Sequence, residues 1–253
     1  MLVESRDVGD GVRILILNRP PANAINAEFL SALGSQCKAA QEDENVRAVI
    51  VQGNGKFFSG GLDLKEASSG RNQMGNLAGS RDDGLFMLWT LPKPTIAMVN
   101  GHAIAGGVII ALACDFRFTQ TGSHRFGLNE VAIGLAFPRG AFEIARLALS
   151  NEQLRWTMLE AGLFDASRAR QMGIVDEIVE PEQLEARCLE AAKRLGANGR
   201  LAYAHTKRRI QAEAVARVLN QDADELREVA RITQSEESRA LIAAQVTSLS
   251  RNR

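Results

Sequence analysis

The chain has 253 residues, 45% hydrophobic and 24% charged, and its 30 basic and 30 acidic side chains balance to zero formal charge. That length supports one large domain, or a domain with an appendage, and a sizeable core, while the neutral balance argues against nucleic-acid binding, which ordinarily shows a basic excess. No apolar run is long enough for a membrane span, no basic-then-apolar leader opens the chain, and Cys37, Cys114 and Cys188 have neither disulfide-framework nor metal-site spacing, so a cytoplasmic protein is expected.

Val12 to Leu17 reads as a strand, closed by Asn18, Arg19, Pro20 and Pro21. Asn26 is placed to cap a helix from Ala27 to about Ala40, with Phe29, Leu30, Leu33 and Cys37 on one face. Val46 to Gln52 is a second strand, apolar enough to be covered on both faces. The segment GNGKFFSGGLDLKEA reads as a glycine-rich turn running into a helix, and Ser68 to Asp83 as a mobile loop or short helix outside the core. Thr95 to Val99 and Asp115 to Thr119 are further strands. Between them lie the Gly106-Gly107 pair and a helix-like apolar block, Val108 to Cys114.

Beyond Ala132 helices dominate. Ser150 and Gln153 form a capping box for a helix ending near Gly162. Pro181 fits a first helical position, with Leu184, Cys188, Ala192 and Leu195 at helical spacing and Gly196 as the stop. Two or three more helices follow Leu201, one of them carrying Leu241, Ile242, Val246 and Leu249. The pattern predicts an α/β core with a helical C-terminal part.

The stretch from Thr95 to Asp115 has the strongest chemical character. Glycines between a buried strand and a buried helix let the backbone approach a ligand closely. The first N–H groups of the following helix then point at that ligand, with the helix dipole favouring negative charge. Such a turn suits a phosphate, or an oxygen that becomes negative during a reaction.

Three segments carry polar or glycine chemistry in apolar surroundings: FSGGLDL (Phe58 to Leu64), the Gly106-Gly107 turn, and FGLNEV (Phe126 to Val131). Together with LNRPPANAIN, ALACDFRF and GIVDEIV they resemble the crotonase (enoyl-CoA hydratase/isomerase) superfamily over nearly the whole chain. The resemblance implies a crotonase-like spiral of ββα turns, residues 1–196, and a C-terminal helical trimerisation or lid part, residues 197–253. It implies an acyl-CoA thioester substrate, with coenzyme A part of the substrate and no separate cofactor or metal, and assembly as a homotrimer or dimer of trimers. The N–H groups of Leu62 and Gly106 would grip the thioester oxygen. Ala22, Ala24, Gly60, Gly61, Leu62, Asp63, Leu64, Gly106, Gly107 and Ile109 would line the substrate.

One departure bears on the reaction. Hydratases of the family carry two glutamates. Glu130 matches the second, but the first position, three residues after Gly106, is Ile109. Loss of a general acid/base costs ~10²–10⁴ in rate. Shifting a double bond from the 3- to the 2-position needs only one carboxylate, and PPANAI, FSGGLDL and GLNE resemble the Δ3,Δ2-enoyl-CoA isomerase branch. The stretch GLAFPRGAFEI also departs from a hydratase, around the acyl pocket near Leu135 to Arg139. The expected function is therefore an isomerase. The alternatives are a hydratase or other acyl-CoA lyase using Asp63, Asp82 or Asp83 as a second carboxylate, and a non-catalytic binding protein of this fold.

Other residues have simpler readings. Asp63 suits a helix cap, Ser59 a turn, and Cys114 a core position. His102 either lines the site or packs beside it, and His124 and His205 read as surface. Lys193, Arg194, Arg200, Lys207, Arg208 and Arg209 read as a solvated basic face, or as contacts for coenzyme A phosphates.

Overall fold

A computed structural model describes residues 1–64, 66 and 79–251. Among the described residues, nine strands form two sheets. The larger contains β1 (Val3–Asp7), β2 (Val12–Leu17), β3 (Ala48–Gly53), β5 (Thr95–Val99), β7 (Phe116–Gln120) and β9 (Glu177–Val179), in the order β1-β2-β3-β5-β7-β9. Only the β1–β2 pair is antiparallel; the others are parallel, with Val49 opposite Thr95 and Ile96 opposite Phe116. The smaller sheet is parallel and contains β4 (Phe57–Ser59), β6 (His102–Ile104) and β8 (Phe126–Gly127).

The chain leaves the large sheet, adds a short strand to the small one, and returns through a helical segment. This is the ββα spiral expected of the fold, seen most plainly in β5, β6 and α3 (Gly106–Leu112). Side-chain alternation explains the layering. Ile14, Ile50, Ile96, Met98 and Phe118 face one side and pack with Leu184, Cys188, Ala191 and Leu195 of α7 (Leu184–Gly196). Leu15, Leu17, Val49, Val51, Ala97 and Val99 join the main core with α1 (Ala27–Glu42) and α3. Both faces are covered, as the unbroken apolar runs of these strands require.

Several elements differ from expectation. The edge strand β1, the three short strands of the small sheet and β9 are too short or too polar to stand out by periodicity. Phe57–Ser59, expected as part of a turn, is strand β4. Helix α3 starts at Gly106 instead of Val108. The Ser150 capping box is present, but α5 (Asn151–Leu154) is short and runs into a π-turn over Arg155–Leu159, and Ala161 has φ 53°. Between these lie α2 (Gly84–Trp89), α4 (Arg139–Ala148) and α6 (Ala166–Gln171). Most of the expected Ser68 to Asp83 loop lies outside the described residues; Asp83 itself caps α2, accepting from the N–H groups of Leu85 and Phe86.

Three helices close the chain: α8 (Arg200–Leu219), α9 (Ala223–Thr233) and α10 (Glu236–Arg251). Lys207 corrects the solvated-basic-face reading, for it is only 6% exposed. Its ammonium reaches Asp115 at 3.0 Å, at the foot of β7, and Thr95 Oγ1 at 3.3 Å. The Tyr203 hydroxyl and the Thr95 N–H also donate to Asp115. His205 is exposed, Lys193 pairs with Asp10 on the surface, and Arg208 lies beside His205. Replacing one partner of a buried pair strands the other charge. Asp115→Asn is therefore expected to destabilise the fold by about 3 kcal/mol or more, read as a fall in the urea midpoint at unchanged m-value.

Candidate active site

The site is built where the two sheets' connections meet. Asn23, buried and at φ 49°, folds the PPAN segment over the start of β4: its amide donates to the carbonyls of Asn54 and Phe57, at 3.0 and 2.8 Å. The Gly60 N–H donates to the Ala22 carbonyl at 2.7 Å. Ile25 then forms a parallel bridge with Leu62: its N–H donates to the Gly61 carbonyl (2.7 Å), and its carbonyl accepts from the Asp63 N–H (3.0 Å). In such a bridge the flanking peptides face Ile25, so the Leu62 N–H points to the opposite side of the strand.

Two glycines let the Leu62 turn and the α3 turn touch. A Cβ on Gly107 would lie 2.1 Å from the Ser59 carbonyl oxygen. Gly61 has φ +80°, and a Cβ there would lie 2.7 Å from the Ile104 carbonyl oxygen and 3.1 Å from the Gly106 nitrogen. Ser59 is buried, donating through Oγ to the Asn23 carbonyl and accepting from the Gly61 N–H. Ala105, before Gly106, sits at φ 53°, ψ −126°, a strained conformation for a residue with a Cβ. Its ψ angle sets the direction of the Gly106 N–H. Among the described residues, neither the Leu62 nor the Gly106 N–H has an acceptor.

Glu130 reaches this place through the small sheet. The Ala105 N–H donates to the Gly127 carbonyl at 2.7 Å, and Glu130 lies just beyond, opening a 3-10 turn over Val131–Ile133. It is 6% exposed, and its Oε2 is buried without a hydrogen-bond partner, as is Asn129 Oδ1. Burial pushes the Glu130 carboxyl up to about 8, from an ordinary 4.5. Of its apolar neighbours, Ile133 and Leu135 are buried, but Val131 is 47% exposed. Ile133 and Leu135 pack with Ile242 of α10, and Leu62, Leu64 and Val246 lie against them. The C-terminal helix of the same chain thus covers the turn that carries Glu130.

The remaining expected residues sort by contact. Ile109 is fully buried in the main core. Ala24, Leu62, Asp63 and Leu64 are half-buried. Asp63 accepts from the Glu66 N–H as a cap and also pairs with Arg19. Asp83 is a cap and Asp82 is exposed, which weakens each as a second acid. His102 packs on Phe57 and His124 in the small sheet. His124 is half-buried, not the surface residue expected. Burial raises all three thiols, Cys37 and Cys188 to about 12, which disfavours thiolate chemistry. No group of three or more His, Cys, Asp or Glu among the described residues is arranged to hold a metal. Arg19 and Asn23 were the residues periodicity did not single out; an Asn at positive φ beside prolines is the available signal.

Comparison with known proteins shows the family and the fold. The enoyl-CoA hydratase/isomerase family model matches residues 7–246, and the chain belongs to that family. A carnitinyl-CoA dehydratase of Salmonella arizonae is 33% identical over 198 residues, covering 76% of this chain and 74% of the relative. A Mycobacterium tuberculosis protein, named an enoyl-CoA isomerase with one solved structure and a probable enoyl-CoA hydratase with another, superposes in the first with a TM-score of 0.79 at 27% identity, covering 90% of this chain and 97% of that one. The human mitochondrial Δ3,Δ2-enoyl-CoA isomerase superposes over the whole of both chains with a TM-score of 0.91, at 23% identity, a likeness of fold.

The buried carboxyl has a thermodynamic consequence. With the folded pKa of Glu130 raised, the native state keeps a proton that the unfolded chain releases near pH 4.5. Stability from this source is full below pH 4.5 and is lost as pH rises through about 8. Glu130→Gln cannot ionise, so it is expected to melt above the unmodified protein at pH 9 and near it at pH 5. Equal melting offsets at both pH values would contradict a buried, desolvated Glu130.

Proposed function

We propose that the chain isomerises 3-enoyl-CoA to 2-enoyl-CoA thioesters, with Glu130 as the single acid/base. The observation that carries this is one buried carboxyl, its Oε2 without a hydrogen-bond partner among the described residues and its pKa raised to about 8, with apolar Ile109 where a second glutamate would stand. In this reading the thioester oxygen sits between the Leu62 and Gly106 N–H groups. Ionised Glu130 removes a proton from C2. The electron pair delocalises through the 3,4 double bond and the carbonyl, giving a dienolate whose negative oxygen the two donors stabilise. Glu130 then delivers the same proton to C4, leaving the double bond between C2 and C3. No water enters and no group leaves, so one carboxylate completes the cycle.

The electrostatics favour such a base. A donor aimed at a developing oxyanion is worth ~10²–10³ in rate, and a base with a pKa near the working pH combines availability with proton affinity. Residues 22–24 and 60–64 would contact the coenzyme A end, and Gly107 and Ile109 the thioester. Residues 197–253 would serve as lid and trimerisation part; the packing of α10 on Leu62, Leu64, Ile133 and Leu135 supports the lid role. A second reading, water addition or removal, is favoured by the dehydratase name of the Salmonella relative. It requires a second acid/base, for which Asp63 is tied to Arg19 and to a helix cap.

Glu130→Gln is expected to lower kcat by ~10²–10⁴ while leaving acyl-CoA binding within reach of the unmodified protein. In the unmodified enzyme kcat/KM should rise with pH and level off above about 8, because only the ionised carboxylate accepts the C2 proton. Retained turnover in Glu130→Gln would overturn the assignment of the base.

A further inference from the structure

We infer that Arg19 is a positioning residue for the oxyanion site: it clamps the Ile25–Leu62 bridge from both sides and so aims the Leu62 N–H. The inference rests on the reading of Leu62 as an oxyanion donor. Arg19 sits at the end of the strand-to-loop segment after β2 and is half-buried. Its Nη1 donates to the Ala24 carbonyl at 3.2 Å, on the residue before Ile25. Its Nη2 donates to Asp63 Oδ2 at 2.7 Å, on the residue after Leu62, and to Glu66 Oε1 at 3.1 Å. Its backbone N–H donates to Asn23 Oδ1 at 3.0 Å, fixing the same loop again. One guanidinium therefore fastens the two chain segments whose pairing orients the Leu62 peptide.

The geometry gives the clamp a specific task. The Leu62 N–H direction follows from its neighbouring peptides, which the Gly61 carbonyl and the Asp63 N–H hold against Ile25. The turn behind Leu62 contains Gly61 at φ +80°, a residue without side-chain restraint on rotation. The chain ahead of Leu62 is held by Asp63, whose Oδ1 accepts the Glu66 N–H while Oδ2 takes Arg19. Asn26 adds a second tie to Glu66 at 2.9 Å. A planar fork bridging a carbonyl and a carboxylate is something arginine supplies and a lysine ammonium reproduces only in part.

A misaimed donor costs transition-state stabilisation more than ground-state affinity. Arg19→Gln is therefore expected to lower kcat about 10- to 100-fold, with little change in the dissociation constant of a bound thioester. The pH midpoint near 8 should stay in place, since Glu130 is untouched. Arg19→Lys should lie between the two. The structure-sensitive readout is optical. A push–pull thioester, 4-(dimethylamino)cinnamoyl-CoA, shifts its absorbance to the red when two N–H donors draw charge onto its carbonyl oxygen. That shift should be present in the unmodified protein and reduced in Arg19→Gln.

Asp63→Asn, of the same size, provides a second break in the clamp should Arg19→Gln fold poorly. It should reduce the red shift similarly, and the double variant should be no worse than the weaker single one. The inference is overturned if either folded variant keeps the full red shift with kcat within about twofold, or if it loses thioester affinity while kcat is kept. Absence of any red shift in the unmodified protein would overturn the oxyanion reading of Leu62 and Gly106, and the clamp with it. A red shift in the unmodified protein that survives Arg19→Gln removes the clamp alone.

Discussion

The close contact between two backbone turns governs this structure. Gly107 lies so near the Ser59 carbonyl that a methyl group would stand 2.1 Å from its oxygen, and one on Gly61 would stand 2.7 Å from the Ile104 oxygen. The small sheet exists to bring these turns together: β4 delivers Ser59 and the Gly61 turn, β6 delivers Ala105, and β8 holds β6 in place and leads on to Glu130. Any side chain at either glycine would force the strands apart and separate the two N–H groups. Ala105 adds strain, of about 1–3 kcal/mol for such a backbone conformation, offset by its bond to Gly127 and by the buried start of α3. Strain of this kind belongs where a peptide must be aimed.

The second constraint is desolvation. Burial raises Glu130 because the charged form loses water, and the hydrogen bond from its own backbone offsets only part of that loss; its Oε2 has no partner among the described residues. The same loss makes the ionised carboxylate a strong base toward a carbon acid, so reactivity and instability share one cause. Helix α10 maintains the condition by packing Ile242 and Val246 over Ile133, Leu135, Leu62 and Leu64. Ser238 bonds to the Gly134 carbonyl at the same junction. At the far side, Lys207 and Tyr203 gather on Asp115 and hold α8 to the foot of the large sheet. The C-terminal helices are thus anchored at one end by a buried ion pair and at the other by apolar contact.

Much of this was legible before any coordinates. The strands β2, β3 and β5 are largely apolar runs of five or six residues covered on both faces, and periodicity finds such strands readily; β7 alternates Phe116 and Phe118 with polar residues. Asn26 and Ser150 announce their helices by side-chain caps. The roles proposed for Leu62 and Glu130 come from family likeness, whereas the Gly106-Gly107 turn stands out locally as a place for an anion, though its pattern does not distinguish a phosphate from an oxyanion. The small sheet was hidden since its strands span two or three residues, too few for alternation to register. Lys207 and His124 were misplaced as surface for a related reason: their burial depends on partners 92 residues away, in the case of Asp115, and on a sheet that periodicity does not show. Arg19 looked like turn punctuation before two prolines, yet its partners are separated from it by 44 and 47 residues.

The central claim is that a single carboxylate moves a proton between C2 and C4 without adding water. The most direct measurement offers the purified protein 3-hexenoyl-CoA and, separately, 2-hexenoyl-CoA, following the absorbance of the conjugated enoyl thioester. The account predicts a rise with the 3-enoyl substrate and a steady signal with the 2-enoyl one. A falling 2-enoyl signal, from water adding across the double bond, would contradict it and require a second acid/base opposite Glu130.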